Sequence, residues 1–261
     1  QFTQLSLDHL RNQRLMAGSS NPLAQQSLFS GRDTLLAYNG SNADVYQLLG
    51  AEEPGRKSVN VWFNLFGQRG EQSSGDGFDG YDFDAYGFVF GADYPLSSNF
   101  LGGVSIGYTT TDVSVDNYTG YGEVETPYAS VHGSYVTDLI YVDGVLSYGS
   151  QNYDTTRFTR VLSENRIATS EHDGDLLSAH SEAGVNVETG AWLTQPFVGL
   201  NYINLREDGH NETGADGLSL RIEDRSTNYL ASDLGVHLSR VFEMKSENNL
   251  ALDFTASWNH D

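Results

Sequence analysis

The chain has 261 residues without cysteine, and its 35 acidic against 14 basic side chains give a formal net charge of -21. This charge argues against nucleic acid as a partner, since phosphates are bound by basic patches, and against docking on anionic lipid head groups. The lack of cysteine excludes disulfides and thiolate metal sites. No run of 18 apolar residues occurs, so no transmembrane helix is predicted.

The first 57 residues differ from the remainder of the chain. A helix is predicted over residues 6–18, with Ser6 as N-cap and Gly18 as the closing glycine, and a second short helix over residues 42–50. The N-terminus has neither the basic nor the apolar region of a signal peptide, which we expect to have been removed or to lie upstream. Residues 1–57 are therefore predicted to be a separate helical linker segment.

From residue 58 onward, apolar residues alternate with small or polar ones. In FLGGVSIGYTT (residues 100–110), Val104 and Ile106 alternate with Gly103, Ser105 and Gly107. Successive side chains of a strand point to opposite faces, so this pattern predicts strands with one apolar face. Nine such segments follow one another, and their first apolar residues are Val59, Tyr86, Phe100, Ala129, Ile140, Leu177, Trp192, Leu230 and Leu250.

The connections between these segments alternate in length. Residues 70–81, 112–125, 152–175 and 206–225 form long acidic connections, and residues 95–99, 137–138, 188–190 and 243–249 form short ones. In a meander this places all long loops at one end and all tight turns at the other, as in an outer-membrane barrel.

Aromatic residues near the segment ends fit the ring girdles of membrane interfaces. They are Tyr81, Tyr94, Phe100, Tyr141, Tyr153, Trp192, Tyr202 and Trp258. A soluble β-sandwich is the alternative, because its strands alternate as well. Sandwiches of that kind use Greek-key crossings, however, and the regular rhythm of the connections favours a meander.

Several stretches together resemble the translocator β-domain of bacterial autotransporters, the type V secretion proteins. They include VWFNLFGQRG (residues 61–70), YDFDAYGFVFGADYPL (residues 81–96), NFLGGVSIGY (residues 99–108) and SEAGVNVETGAWLTQPFVGLNY (residues 181–202). The resemblance implies an all-β fold, a transmembrane antiparallel up-and-down β-barrel of twelve strands in the bacterial outer membrane. It also implies an N-terminal helical segment in the lumen that leads to an exported passenger. Small inner residues would leave room for that helix.

Two features depart from this family. The sequence contains nine predicted strands rather than twelve, and its last residues, ASWNHD, lack the aromatic residue expected at the end of a closing strand. An even number of strands is needed to return the chain to the periplasm. We therefore expect residues 58–261 to be a barrel without its last strands, and residues 1–57 to supply a lumenal plug.

The polar side of the strands predicts which residues face the lumen. These residues are Asn60, Asn64, Gln68, Ser105, Ser130, His132, Ser134, Asp143, His180, Glu182, Asn201, Asp233, His237 and Asp253. Arg11, Arg14 and Arg32 are predicted to anchor the N-terminal segment to the lumenal carboxylates Glu182, Asp233 and Asp253 by charge and hydrogen bonds.

Three chemical alternatives depend on residues of the same regions. His132, His180 and His237 have serines or carboxylates nearby along their strands, but no G-x-S-x-G or H-E-x-x-H motif occurs, so polar lining is favoured over catalysis. The carboxylates of residues 112–116 and 216–224 lack EF-hand spacing, which favours solvated loops over Ca²⁺ sites. LRNQRL around Asn12 does not match the known self-cleavage motif, so no self-cleavage is expected.

The sequence therefore predicts an outer-membrane translocator that carries an N-terminal passenger polypeptide to the cell surface, with neither enzymatic activity nor a cofactor. Its expected partners are its own passenger, the barrel-assembly machinery and outer-membrane lipid, without nucleic acid. A barrel hydrolase and a porin or adhesin barrel stay open as other hypotheses.

Overall fold

Long antiparallel strands make up most of the protein. The computed structural model describes residues 2–17, 59–75, 79–116, 119–161, 164–243 and 249–260. Its elements are α1 (Phe2–Ala17), β1 (Asn60–Gln72), β2 (Tyr81–Pro95), β3 (Phe100–Val115), β4 (Gly120–Val136), β5 (Ile140–Val161), β6 (Glu164–Val185), β7 (Val187–Thr189), β8 (Trp192–Glu207), β9 (His210–Asn211), a 3-10 helix (Asp216–Leu218), β10 (Arg221–Ile222), β11 (Arg225–Glu243) and β12 (Asn249–His260). In this described part, no helix is both long and apolar enough to cross a membrane.

The nine long strands pair in chain order, β1-β2-β3-β4-β5-β6-β8-β11-β12, and every pair is antiparallel. This strand order confirms the predicted meander of nine segments and contradicts the alternative of a Greek-key sandwich. The short β7 also pairs with β8, and Gly190 turns between them with a φ of 66°. β9 and β10 form a separate two-stranded ribbon. Where the structure describes β1 and β12, each pairs on one side only.

The curled sheet has two chemically different faces, as the alternation predicts. We call the face that contacts α1 the inner face and the opposite one the outer face. On β3, Val104 and Ile106 of the outer face are exposed, whereas Ser105 of the inner face is buried. A continuous apolar outer face and a polar inner face are typical of a barrel that spans a lipid membrane.

Two aromatic residues that break the alternation of the first strand form part of the inner core. Trp62 lies directly opposite Gly91, and Phe66 lies directly opposite Gly87. A Cβ at either glycine would overlap the neighbouring aromatic ring. The missing side chains thus make room for two large rings, which are only 5% and 4% exposed and cover the glycine backbone, an arrangement known as aromatic rescue.

The helix begins earlier than predicted. α1 begins at Phe2, so Ser6 is not the N-cap but a fully buried residue inside the helix. Serine can satisfy its hydroxyl by local hydrogen bonds within a helix as well as at its start, so its presence alone does not fix the boundary. Gly18, the predicted closing residue, and the predicted helix over residues 42–50 lie outside the described residues.

Two of the predicted long connections are wrong, because their residues belong to strands. β3 and β4 leave only residues 116–119 between them, and β5 and β6 leave only residues 162–163. The added strand residues are mainly polar and show no apolar alternation, but their backbones continue the antiparallel ladder. A membrane-spanning strand needs about 9–11 residues, so the ends of the 22-residue β5 and β6 extend beyond the membrane.

Candidate functional site: the inner face under the helix

Helix α1 packs on the inner face through two small apolar clusters. Leu5 contacts Trp62, Phe66 and Val89, with Tyr128 packed beside them. Leu7 and Leu10 contact Val145, with Leu101 beside them. Because the sheet curls around α1, apolar residues on different sides of the helix are buried, and one broad apolar stripe is not needed.

The first polar contact between helix and sheet centres on Asp93. His9 Nε2 donates to one carboxylate oxygen of Asp93 at 2.5 Å, and His132 Nε2 donates to the other at 2.6 Å. The His9 ring also stacks on Trp62, with 4.2 Å between ring centroids. Asp93 and His132 are buried, so both carboxylate oxygens exchange water for hydrogen bonds inside the protein.

This contact depends on Gly103, which lies between the two sheet residues. Gly103 pairs with Asp93 of β2 on one side and with His132 of β4 on the other. A Cβ at Gly103 would overlap both side chains and come within 2.9 Å of the carbonyl oxygen of Ala92. The absent side chain therefore allows a hydrogen bond to form across an intervening strand.

The second polar contact centres on Arg11. Its Nε lies 2.9 Å from Asp253 Oδ2, and its Nη1 donates to Thr255 Oγ1 at 3.1 Å. Nη1 also donates to His237 Nδ1 at 3.1 Å. Only 11% of the Arg11 side chain is exposed. A charge with so little water around it gains more from a paired carboxylate than an exposed one does.

His237 connects Arg11 to the half-buried carboxylate of Glu182. Its Nε2 donates to Glu182 Oε1 at 3.1 Å, and Tyr141 donates its hydroxyl to the same oxygen at 2.7 Å. The Nδ1 atom accepts from Thr255 at 2.8 Å as well as from Arg11. The hydrogen-bond network thus assigns the proton of a neutral His237 ring to Nε2.

A row of amide and carboxylate groups continues across four strands of the inner face. His180 donates to Asn201, and Asn201 donates to Asp233. Asn259 also donates to Asp233, at 2.9 Å. Next to this row, between α1 and the sheet, lies a cavity of about 110 Å³. His180 lines it, and the Nε2 atom of this ring is buried and has no hydrogen-bond partner among the described residues.

The predicted polar side of the strands lies at different depths on the inner face. Buried residues are Ser105, Ser130, His132, Ser134, Asp143, His180 and His237; half-buried residues are Asn60, Asn64, Gln68, Glu182, Asn201, Asp233 and Asp253. Of the three predicted anchors, Arg11 pairs with Asp253. Arg14 lies in α1, but its side chain is outside the described residues, as is Arg32.

Sequence reasoning missed His9, Asp93 and Gly103, and it misplaced two tyrosines. Tyr141 and Tyr153 were predicted in the outer aromatic girdles, but Tyr141 is fully buried on the inner face and Tyr153 stacks on His172. Their odd numbers carry the missing signal, because the outward residues of β5 have even numbers, beginning with Ile140. Within the described residues, no group of three or more histidine or acidic side chains is placed to hold a metal ion.

Comparison with known proteins identifies this architecture. The family model described as autotransporter beta-domain matches residues 61–261. The chain belongs to the autotransporter β-domain family. An extracellular serine protease of Serratia marcescens is 25% identical over 200 residues, which cover 77% of this chain and 19% of that protein. Outer membrane protein B of Rickettsia prowazekii is 26% identical over 220 residues, which cover 77% and 13%. The chain thus spans less than a fifth of these curated relatives.

Solved structures share the fold. The translocator domain of the autotransporter NalP from Neisseria meningitidis superposes with a TM-score of 0.65 at 20% identity, covering 83% of this chain and 75% of that one. The β-domain of the Bordetella autotransporter BrkA superposes with a TM-score of 0.57 at 21% identity, covering 77% and 79%. The chain is thus an autotransporter β-domain that shares the barrel fold of these two translocator domains.

Proposed function

We propose that this autotransporter β-domain exports the polypeptide N-terminal to it along the inner face of the barrel and then retains α1 there as a plug. The observation that carries the proposal is the paired anchoring of α1. His9 fixes one side of the helix to Asp93, and Arg11 fixes the other side to Asp253. A segment held by hydrogen bonds rather than by a large apolar interface can occupy a polar channel without requiring an apolar wall.

The inner face suits both the passage and the plug. The serines, asparagines and histidines of the inner face can form hydrogen bonds with the polar groups of a passing chain. Glycines such as Gly87 and Gly91 keep the strand backbone close to the aromatic residues that pack under α1. We infer that the fourteen predicted polar residues line the lumen of the complete barrel, and that residues 1–57 form the plug and its linker.

Ion conductance of the full chain in planar lipid bilayers tests the plug. Arg11→Ala removes the pair with Asp253, and deletion of residues 2–17 removes α1 completely. We expect low conductance for the unmodified chain, more frequent opening for Arg11→Ala and a large permanent conductance for the deletion. Arg69→Ala is the matched control, because Arg69 is 76% exposed and only loosely paired with Asp84 on the outer face. Equal conductance of all four proteins would reject α1 as a plug.

Export itself needs a separate measurement on the intact gene product. A tag placed before Gln1 is expected to be digested by protease added to whole cells. A barrel that shows heat-modifiable gel mobility but keeps this tag protected would contradict export and leave a porin or adhesin.

We propose further that the inner histidines are structural and that the barrel is not a hydrolase. Thr255, His237 and Glu182 have the order of a nucleophile, base and orienting group, but Arg11 shares the His237 nitrogen that a base would need free. His237→Ala should therefore weaken the plug and leave any passenger activity unchanged. Loss of a hydrolytic activity with normal conductance would favour the enzyme instead.

The outer face and the edges of β1 and β12, which pair on one side only where the structure describes them, indicate the remaining partners. We infer that lipid covers the exposed apolar residues between the two ends of the strands. Lipid cannot satisfy an unpaired strand edge, so a spanning sheet must be closed during insertion. We propose the barrel-assembly machinery as the partner that accomplishes this closure, and depletion of that machinery should leave the chain protease-sensitive in the periplasm.

A further inference from the structure

The segment between β8 and β11 follows a course that is unlike a simple loop. We call residues 208–224 the strap. The strap begins along the edge of β6, where the Asp208 amide donates to the Asp173 carbonyl at 2.9 Å, and Thr213 exchanges two hydrogen bonds of 2.9 Å with Thr169. Between these two contacts the strap advances five residues, from 208 to 213, whereas β6 advances four, from 173 to 169. The extra residue makes the strap bulge out of the sheet, as β-bulges do.

The bulge projects over the inner face of β5 and is fastened there by Arg157. This guanidinium donates to both carboxylate oxygens of Glu212, at 2.8 Å from Nε and 2.5 Å from Nη2. Nη2 also donates to the Leu218 carbonyl at 3.1 Å. Glu212 in turn accepts the Leu220 amide at 2.8 Å. The planar guanidinium of Arg157 therefore holds both arms of the β9–β10 ribbon.

A stack of three rings provides the second fastening. His210 of the strap lies on His172 of β6 with ring centroids 3.7 Å apart and only 13° between the ring planes. His172 in turn lies on Tyr153 of β5 at 4.6 Å. Tyr153 and His172 belong to the inner face, on the same side of the sheet as α1 but in the strand extensions near the connection between β5 and β6. The stack is thus placed where the lumen would open.

Two imidazoles in face-to-face contact are compatible with each other only while at most one is charged. Arg225, which is paired with Glu207, adds a positive charge nearby. Asp173 and Asp208 supply the opposing negative charges. Burial, together with His210 and Arg225, outweighs these two carboxylates and lowers the pKa of His172 from its ordinary value.

We propose that the strap is a pH-released cover, fastened over the inner face at the outer ends of β5 and β6 at neutral pH and detached on acidification. The fastened state keeps His172 neutral, whereas a detached strap lets His172 bind a proton at its ordinary pKa. The stability of the fastened state is therefore complete above the ordinary histidine pKa of about 6.5 and decreases as the pH falls below that value. The Arg157 clamp persists to lower pH, because hydrogen bonding from Arg157 lowers the pKa of Glu212. The histidine stack is thus the first fastening to be lost.

A spin label on the strap tests the proposal without requiring export, so its outcome is independent of the proposed function. Gly217→Cys gives a unique labelling site, because the chain has no cysteine and a Cβ at Gly217 meets no atom of the described residues within 4 Å. In the full chain in lipid, we expect the mobile fraction of the label to rise roughly twofold or more between about pH 7.5 and pH 5.

Three variants of the labelled chain separate the stack from other effects. His172→Phe combined with His210→Phe keeps stacked rings without titratable groups and should remove the pH response. His260→Phe, a histidine that stacks on Trp258 away from the strap, should keep it. Glu212→Gln should raise the mobile fraction already at neutral pH. A label that is equally mobile at both pH values, or a pH response that survives in the double phenylalanine variant, would overturn the proposal.

Discussion

The side chains of Asp93 and His132 meet across Gly103, whose α-carbon carries only hydrogen on the inner face. We predict that Gly103→Ala destabilises the barrel by about 1–3 kcal/mol, because the new Cβ collides with Asp93, His132 and a backbone oxygen. It should also release His9 and increase conductance through α1 displacement. The measurements are the temperature of heat-modifiable unfolding and the bilayer conductance.

Gly144→Ala is the matched control for this prediction. Gly144 lies in β5, two strands away from Gly103, and the nearest atom to a new Cβ there is the His180 carbonyl oxygen at 3.9 Å. This substitution should be neutral or slightly stabilising, since alanine loses less backbone entropy than glycine on folding. The steric explanation fails if both variants lose the same stability.

The residues of this site differ in how far the sequence reveals them. His132 and His237 occupy the polar positions of regular strands, so alternation alone assigns them to the inner face. Asp93 has the same parity, so alternation also assigns it to the polar side of β2. Its role depends on Gly103 and His9, which come near it only through strand register and the position of α1. Neither is encoded in local periodicity.

At the scale of elements, the same limit explains the strand extensions. Alternation between apolar and polar residues arises where one face meets lipid and the other meets the lumen. Beyond the membrane both faces meet water, and the pattern disappears while the backbone ladder continues through Asp112 and Glu123 of β3 and β4. Apolar periodicity therefore locates the membrane-spanning part of a strand and not its end.

The extended ends carry an unusual arrangement of like charges. Five carboxylates lie directly opposite one another on neighbouring strands of the outer face: Asp84, Asp112, Glu123, Asp154 and Glu171. Desolvation, followed by the charges of Asp112, Glu125 and Asp154, raises the pKa of Glu123. Like charges that face each other across strands are destabilising. The charged row thus opposes folding at neutral pH.

We predict that Glu123→Gln gives a small increase in the unfolding temperature at pH 7. A carboxyl group with a raised pKa destabilises the fold while charged, and this cost disappears as the pH falls through the raised value. The gain should therefore vanish near about pH 4, where Glu123 of the unmodified chain is itself protonated. Thermal unfolding at both pH values measures the effect. Glu188→Gln, in the short β7 away from the row, should produce no gain, and an equal gain there would refute the explanation.

At the scale of the whole molecule, the two faces and the two ends of the sheet are distinguished by independent signals. Residue parity separates the faces, and the polar strand extensions together with the strap mark one of the two ends. The strap lies at the end with the extended strands, whereas residues 137–139 form a tight turn at the other. In outer-membrane barrels the short turns face the periplasm. The fold therefore has a definite direction in the membrane.

This direction can be tested with single cysteines, since the native chain has none. Gly217→Cys in the strap should react with a membrane-impermeant thiol reagent in intact cells. Asp138→Cys, an exposed residue of the tight turn between β4 and β5, should react only after the outer membrane is permeabilised. Both variants change a residue with little packing, so heat-modifiable mobility should be unaffected and serves as the folding control. The opposite labelling order would invert the barrel and place the strap in the periplasm. It would then no longer cover the exit of the lumen, although its fastening by Arg157 and the ring stack would be unchanged.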